Sequence, residues 1–160
     1  MEEPAKHIIK RFIEELWNAR RLDLADEIFS EDCVTHQLRS GVSAEPAARG
    51  PQAVKEHISG WLTSFPDLRF NIEQMIAEQD RVVSQLVMEG THQGTWMGIS
   101  PTGKRLHIRM ITIHRIASSK IAEDWVLVES LGFFEQLGVL PSTAELISNF
   151  AQQQSDSGSR

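Results

Sequence analysis

The order of residue patterns predicts an α+β fold, with three N-terminal helices followed by a long, mostly antiparallel sheet. Two observations carry this reading. The first part of the chain repeats apolar residues at three- and four-residue steps, which is the helical period. From residue 69 onward, long runs rich in valine, isoleucine and methionine alternate with turn signals. Helices first and strands afterwards is the α+β order.

The first helix spans residues 4–17, with Ile8, Ile9, Phe12, Ile13, Leu16 and Trp17 on one face and Lys10, Arg11, Glu14 and Glu15 between them. Pro4 suits its first turn, where a missing amide hydrogen costs nothing. A shorter helix follows at 22–29 with Leu24, Ala25, Ile28 and Phe29 as its apolar stripe. Residues 41–50 read as a loop. Pro51 opens a third helix whose inner face carries Val54, His57, Ile58, Trp61, Leu62 and Phe65, and Pro66-Asp67 closes it. Strands are predicted at 69–78, 82–93, 104–117 and 120–131, separated by Asp80-Arg81, Gly94 to Gly103, and Ser118-Ser119. They exceed the usual five or six residues. Strands of that length in a bent sheet can wrap helices and leave a pocket. Ser142-Thr143-Ala144-Glu145 is a capping box that starts a last helix. The domain is expected to be single over 1–150, with 151–160 an unstructured tail because AQQQSDSGSR has little to bury.

Composition excludes several classes. With 160 residues, 41% hydrophobic and 24% charged, the chain is globular and long enough to hold a core without disulfides or a structural metal. A single cysteine, Cys33, rules out an intrachain disulfide framework and any CxxC site. The net charge of -6, without a basic run longer than two residues, argues against nucleic acid. No apolar run approaches the ~20 residues of a spanning helix, and the N-terminus lacks a signal-peptide pattern, so no membrane contact and a cytoplasmic location are expected.

No nucleotide, metal or nucleophile-elbow motif is present, and the six histidines lack metal-ligand spacing. No cofactor and no metal are therefore expected. Candidate site residues come from strand parity. With Ser118-Ser119 as a two-residue turn, Trp125 lies beside Thr112, Leu127 beside Met110 and Glu129 beside Ile108, with Glu123 and His114 on the same face. A carboxylate among such neighbours is partly desolvated, which suits Glu129 to proton transfer; the alternative is an ordinary carboxylate at the strand rim. His36, at the end of CVTH, is a general base or pocket donor, or a half-exposed histidine that fixes a loop. His92, flanked by Gly90 and Gly94, is a pocket candidate. Trp17, Trp61 and Trp125 are wall or core. His107, Arg109, Ile111 and Ile113 share the opposite face of the 104–117 strand, which serves solvent or a second subunit.

These residues also carry a resemblance. FIEELWN (12–18), VTHQ (34–37), Gly50, SFPDLRF (64–70), DRVV (80–83), EGTHQGTWMG (89–98), SPTGK (100–104) and KIAEDW (120–125) running into LGFFEQLG (131–138) occur in the order seen in the SnoaL-like polyketide cyclases. The chain resembles that family, within the group similar to nuclear transport factor 2 and ketosteroid isomerase. The resemblance implies a cone-shaped fold, three helices in the concavity of a strongly curved sheet, and a homodimer formed through the sheet. It also implies cofactor-free closure of a polyketide ring by an intramolecular aldol reaction, with an aspartate of the final strand as acid/base. By register that position falls on Glu129, one methylene longer, and the position of the partner histidine falls nearer His114 or Arg115 than His107.

The expected function is cofactor-free acid/base chemistry on an apolar or aromatic, oxygenated small molecule. Glu129, His36, His92 and His114 are the catalytic candidates, and Trp17, Trp61, Met110, Trp125 and Leu127 the substrate-binding candidates. The alternatives are a non-catalytic binding protein of the same fold, or an isomerase or hydrolase using the same pocket.

Overall fold

The structure, a computed structural model, describes residues 2–38 and 45–157. The apolar face at the N-terminus forms one rod: α1 (Glu2–Lys10) continues without a break into a π-helical segment, Arg11–Asn18. The wider winding, closed by the Ala19 N–H to the Glu14 carbonyl at 3.0 Å, aims Phe12, Ile13 and Trp17 at one space beneath the rod. A turn of 3₁₀ helix, Leu22–Leu24, and α2 (Ala25–Ile28) bury Leu24, Ala25 and Ile28. Part of the loop predicted over 41–50 lies outside the described residues. Its described part includes the two-residue strand β2 (Ala47–Ala48), and α3 (Pro51–Ser64) begins where Pro51 was expected to open a helix.

The sheet requires a correction. A cone on a strongly curved, mostly antiparallel sheet was expected. The six strands instead form an open mixed sheet in the order β2-β1-β6-β5-β4-β3, neither closed nor strongly curved. β1 (Phe29–Gln37) runs parallel to β6 (Lys120–Val128), while β3 (Arg69–Glu78), β4 (Arg81–Thr91), β5 (Arg105–Ala117) and β6 pair antiparallel in sequence. Closure fails at the edges. β2 offers β1 only the pairs Val34↔Ala48 and Thr35↔Ala47, and β3 at the other end has a single neighbour. Long strands did not make a barrel. The concavity comes from helices and a loop laid over one face.

That face is the core, with Ile9, Ile13, Leu16, Ile28, Ile58, Phe65, Leu86, Leu106 and Ile108 almost without exposure. Gly94 joins the loop after β4 to the end of α3: its N–H bonds the Ser64 carbonyl, and a Cβ there would lie 2.2 Å from the Thr63 carbonyl oxygen. Only glycine allows that approach.

Beyond β6 the chain does not extend to 131 as a strand. It turns at Val128 into α4 (Ser130–Leu137), which Glu129 caps by accepting the Gly132 N–H at 2.8 Å. Gly138, at φ 78°, ends it with the Val139 N–H on the Phe134 carbonyl. The Ser142 capping box forms, and α5 (Thr143–Ser157) continues through residues predicted to be unstructured. Residues 158–160 of that predicted tail lie outside the described residues.

Candidate active site

The register of the β5–β6 hairpin decides which side chains meet the covered face. Ser118 and Ser119 adopt positive φ, 49° and 61°, as a two-residue hairpin turn demands. At the tip the predicted pairing is present: Ala117 faces Lys120 and Ile116 faces Ile121. Between Ile116 and Arg115 a β-bulge then inserts Ala122, and every later pair shifts by one residue: Arg115↔Glu123, His114↔Asp124, Thr112↔Val126, Met110↔Val128. A one-residue slip exchanges the two faces of a strand. Asp124, Val126 and Val128 therefore face inward, while Glu123, Trp125 and Leu127 face outward.

The inner face, the π-helical rod, α3, α4 and the loop after β4 enclose a cavity of about 350 Å³. Its walls are aromatic. Phe133 of α4 sits 4.8 Å from Trp96 and 6.1 Å from Trp61, Trp61 sits 5.6 Å from Trp96, and Trp17 packs edge-on against Phe70. Its floor is polar. Thr35 of β1, Asp124 of β6 and His114 of β5 lie in one transverse row, with Gln37 and Thr112 in the next.

Asp124 is the carboxylate of this floor. It is 8% exposed, and Thr35 Oγ1 donates to its Oδ1 at 2.5 Å. Its Oδ2 makes no hydrogen bond among the described residues. Burial pushes its pKa up to about 6, against the opposing pull of the Thr35 hydrogen bond and the Arg49 charge. His114 is fully buried, so desolvation holds its pKa down to about 4 and the ring is neutral at pH 7. His114 Nδ1 and Thr112 Oγ1 are buried without a hydrogen-bond partner among the described residues, and both residues line the cavity. His57 lies between Trp17 and Trp61 at 6.1 and 6.3 Å. Crowding by protein and then the Arg49 charge lower its pKa, although the residue is exposed to solvent.

Trp17, Trp61, Met110 and His114 line the cavity. Glu129 does not: it is exposed and engaged as the α4 cap. Trp125 and Leu127 lie on the far side of the sheet, as does His36, whose ring stacks on Trp125 at 4.9 Å and bonds Glu123 at 2.8 Å. His92 is wholly buried against Phe65, outside the cavity, with Nδ1 accepting the Thr102 N–H. Asp124, Arg49, Trp96 and Phe133 enter the site unforeseen. Asp124 was hidden by the bulge, and Arg49 by the loop-like composition around it. Among the described residues no cluster of three or more histidine, cysteine or acidic side chains could hold a metal ion. No helix among them is long and apolar enough to cross a membrane.

The raised Asp124 pKa has a consequence for stability. The folded chain binds this proton more tightly than the unfolded chain, whose aspartate titrates near 3.8. The contribution is complete below about pH 4 and is lost as pH rises through about 6, leaving a deficit of roughly 3 kcal/mol in the ionised state. Asp124→Asn removes this linkage. Urea unfolding should show the variant gaining on the wild type between pH 4 and pH 8; a pH-independent difference would contradict the buried carboxylate.

The sequence profile described as SnoaL-like polyketide cyclase matches residues 7–137. The chain belongs to the SnoaL-like polyketide cyclase family. The aklanonic acid methyl ester cyclase DauD of Streptomyces sp. (strain C5) is 28% identical over 140 residues, covering 84% of this chain and 82% of its own length. The aklanonic acid methyl ester cyclase DnrD of Streptomyces peucetius is 28% identical over 136 residues, covering 82% and 88%. The crystal structure of AclR from Streptomyces galilaeus, a candidate hydroxylase, superposes with a TM-score of 0.79 at 23% identity, over 98% of this chain and 95% of that one. At that identity the likeness shows the shared fold alone.

Proposed function

We propose that the protein is a cofactor-independent polyketide cyclase that closes a ring by intramolecular aldol addition, with Asp124 as its acid/base. The observation that carries the reading is a desolvated carboxylate, one oxygen held by Thr35 and the other unbonded, at the polar floor of an otherwise aromatic cavity. A base with a pKa near 6 is both ionised at neutral pH and strong enough to take a proton from carbon beside a carbonyl. Thr112 and neutral His114 are the donors for the enolate oxygen; Thr112 Oγ1 and His114 Nδ1 have no hydrogen-bond partner among the described residues. The enolate carbon then attacks the second carbonyl, and Asp124 returns the proton to the new alkoxide. No atom is lost, so the product is an isomer of the substrate.

The two aklanonic acid methyl ester cyclases support an ester of that kind as substrate. Incubation with aklanonic acid methyl ester, followed by chromatography and mass spectrometry, should yield a cyclised product of unchanged mass. An unchanged substrate that nonetheless binds would favour a non-catalytic binding protein.

We also infer a homodimer through the outer sheet face. Ile76, Val83, Ile113, Trp125 and His36 form one row across five strands there, and Ile111 and Leu127 are exposed beside it. His107 and Arg109 lie on the same face of β5 as Ile111 and Ile113. Light scattering at micromolar protein should give about twice the 18.1 kDa of one chain. Leu127→Arg should shift that to the monomer mass; an 18.1 kDa wild type would refute the dimer.

A further inference from the structure

Among the described residues, one arginine lines the cavity. Arg49 lies between β2 and α3 and is fixed on both sides. Its own N–H donates to the Cys33 carbonyl at 2.7 Å, and at Gly50 a Cβ would meet the Glu31 carbonyl oxygen at 2.5 Å, so the chain passes tight against β1 before Pro51 starts the helix. The side chain lines the cavity and is partly buried, yet its guanidinium makes no hydrogen bond or ion pair among the described residues. A guanidinium carries five donors and remains charged, so withdrawing it from water without a partner is costly. Asp124 is the acidic residue of the same lining, and its carboxylate is already held by Thr35. Asp124, His57 and Cys33 all respond to the Arg49 charge.

We propose that Arg49 is the specificity-determining group of the cavity, taking a planar pair of acidic oxygens on an aromatic ligand, either a carboxylate or the enolate of a 1,3-dicarbonyl. The inference rests on the cavity being the substrate site. The guanidinium fork matches two coplanar oxygens in a way an ammonium does not. Trp17, Trp61 and Trp96 supply flat apolar walls for the attached rings. The pair also fixes which edge of the ring system reaches Asp124, since one bidentate contact sets both position and orientation. An anion seated there cancels the charge that lowers the Asp124 pKa, so the carboxylate becomes a stronger base when substrate arrives.

The test measures binding, by quenching of tryptophan fluorescence at pH 7.5, of three probes: anthraquinone-2-carboxylate, its methyl ester, and the acidic 1,3-dicarbonyl 2-acetyl-1,3-indandione. The wild type should bind at least one of the anions tenfold or more tighter than the ester, and the anion preferred identifies the oxygen pair. Arg49→Gln should abolish that preference while ester affinity stays within about twofold. Arg49→Lys, which keeps the charge without the fork, should retain only part of it. Equal affinity for anions and ester in the wild type, or a preference that survives in Arg49→Gln, would overturn the role of Arg49 and leave the substrate-site reading standing. Failure of all three probes to bind would remove the substrate-site reading, and this proposal with it.

Discussion

Asp124→Asn is expected to leave a folded protein and to lower cyclisation by about 10²- to 10⁴-fold, the range ordinarily lost with a general acid/base. Asparagine keeps the size of the side chain and an oxygen that can accept from Thr35 Oγ1, so the β1–β6 contact survives while the proton acceptor does not. Single-turnover kinetics with a bound ester substrate would separate the loss of chemistry from any change in binding. Glu129→Gln is the matching control. It removes the charge from a solvent-facing cap whose carboxylate accepts one backbone N–H, and glutamine still accepts that bond. Its turnover should stay within about threefold of wild type, the scale of a small surface perturbation well below a tenfold, 1.36 kcal/mol, change in barrier. A collapse of activity in Glu129→Gln with Asp124→Asn unaffected would reverse the assignment.

Phe133→Ala is expected to cost about 3–5 kcal/mol of folding stability, the usual loss for a large aromatic truncated in a core. Phe133 is 3% exposed and touches four rings: Trp61, Phe65, Trp96 and Phe134, at 6.1, 6.3, 4.8 and 5.6 Å. These rings come from α3, α4 and the segments between strands, which pack over the open sheet and are tied to it and to each other by a few hydrogen bonds, Ser64 to the loop after β4 and Gln136 to His107 of β5. Removing their common neighbour leaves a void that joins the cavity. Chemical denaturation should register the loss, and ligand affinity should fall with it because Trp61 and Trp96 lose their support. Phe133→Leu, which refills most of the space, should recover more than half. A Phe133→Ala variant with near wild-type stability would show that the cluster does not hold the roof.

How much of this was legible in the sequence depends on how many faces each element buries. The N-terminal rod and α3 each bury one stripe, so Ile9, Ile13, Leu16, Val54 and Ile58 declared their face through spacing alone. β6 buries one face and leaves the other apolar as well. Trp125 and Leu127 alternate with Val126 and Val128, and neither parity stands out as inward. The choice then rested on the hairpin, whose turn was legible from Ser118-Ser119 and whose bulge at Ala122 was not. That single extra residue exchanges Glu129 for Asp124 as the cavity's carboxylate. α4 was obscured for a related reason: the apolar run from Trp125 through Phe134 suits a strand or a helix, and the cap that stops the strand is Glu129, a residue not usually prized for capping. Sheet closure was taken from family likeness and strand length, and neither specifies what the two edge strands do.

The central claim is that a buried, perturbed carboxylate sits at the floor of the cavity and that it is Asp124. Carboxyl-carbon NMR titration of uniformly ¹³C-labelled protein tests it most directly, with Asp124→Asn supplying the assignment. The account predicts a resonance titrating at about 6 that is missing from Asp124→Asn and unchanged in Glu129→Gln. A spectrum in which Asp124 titrates near 3.8, the ordinary aspartate value, would contradict it.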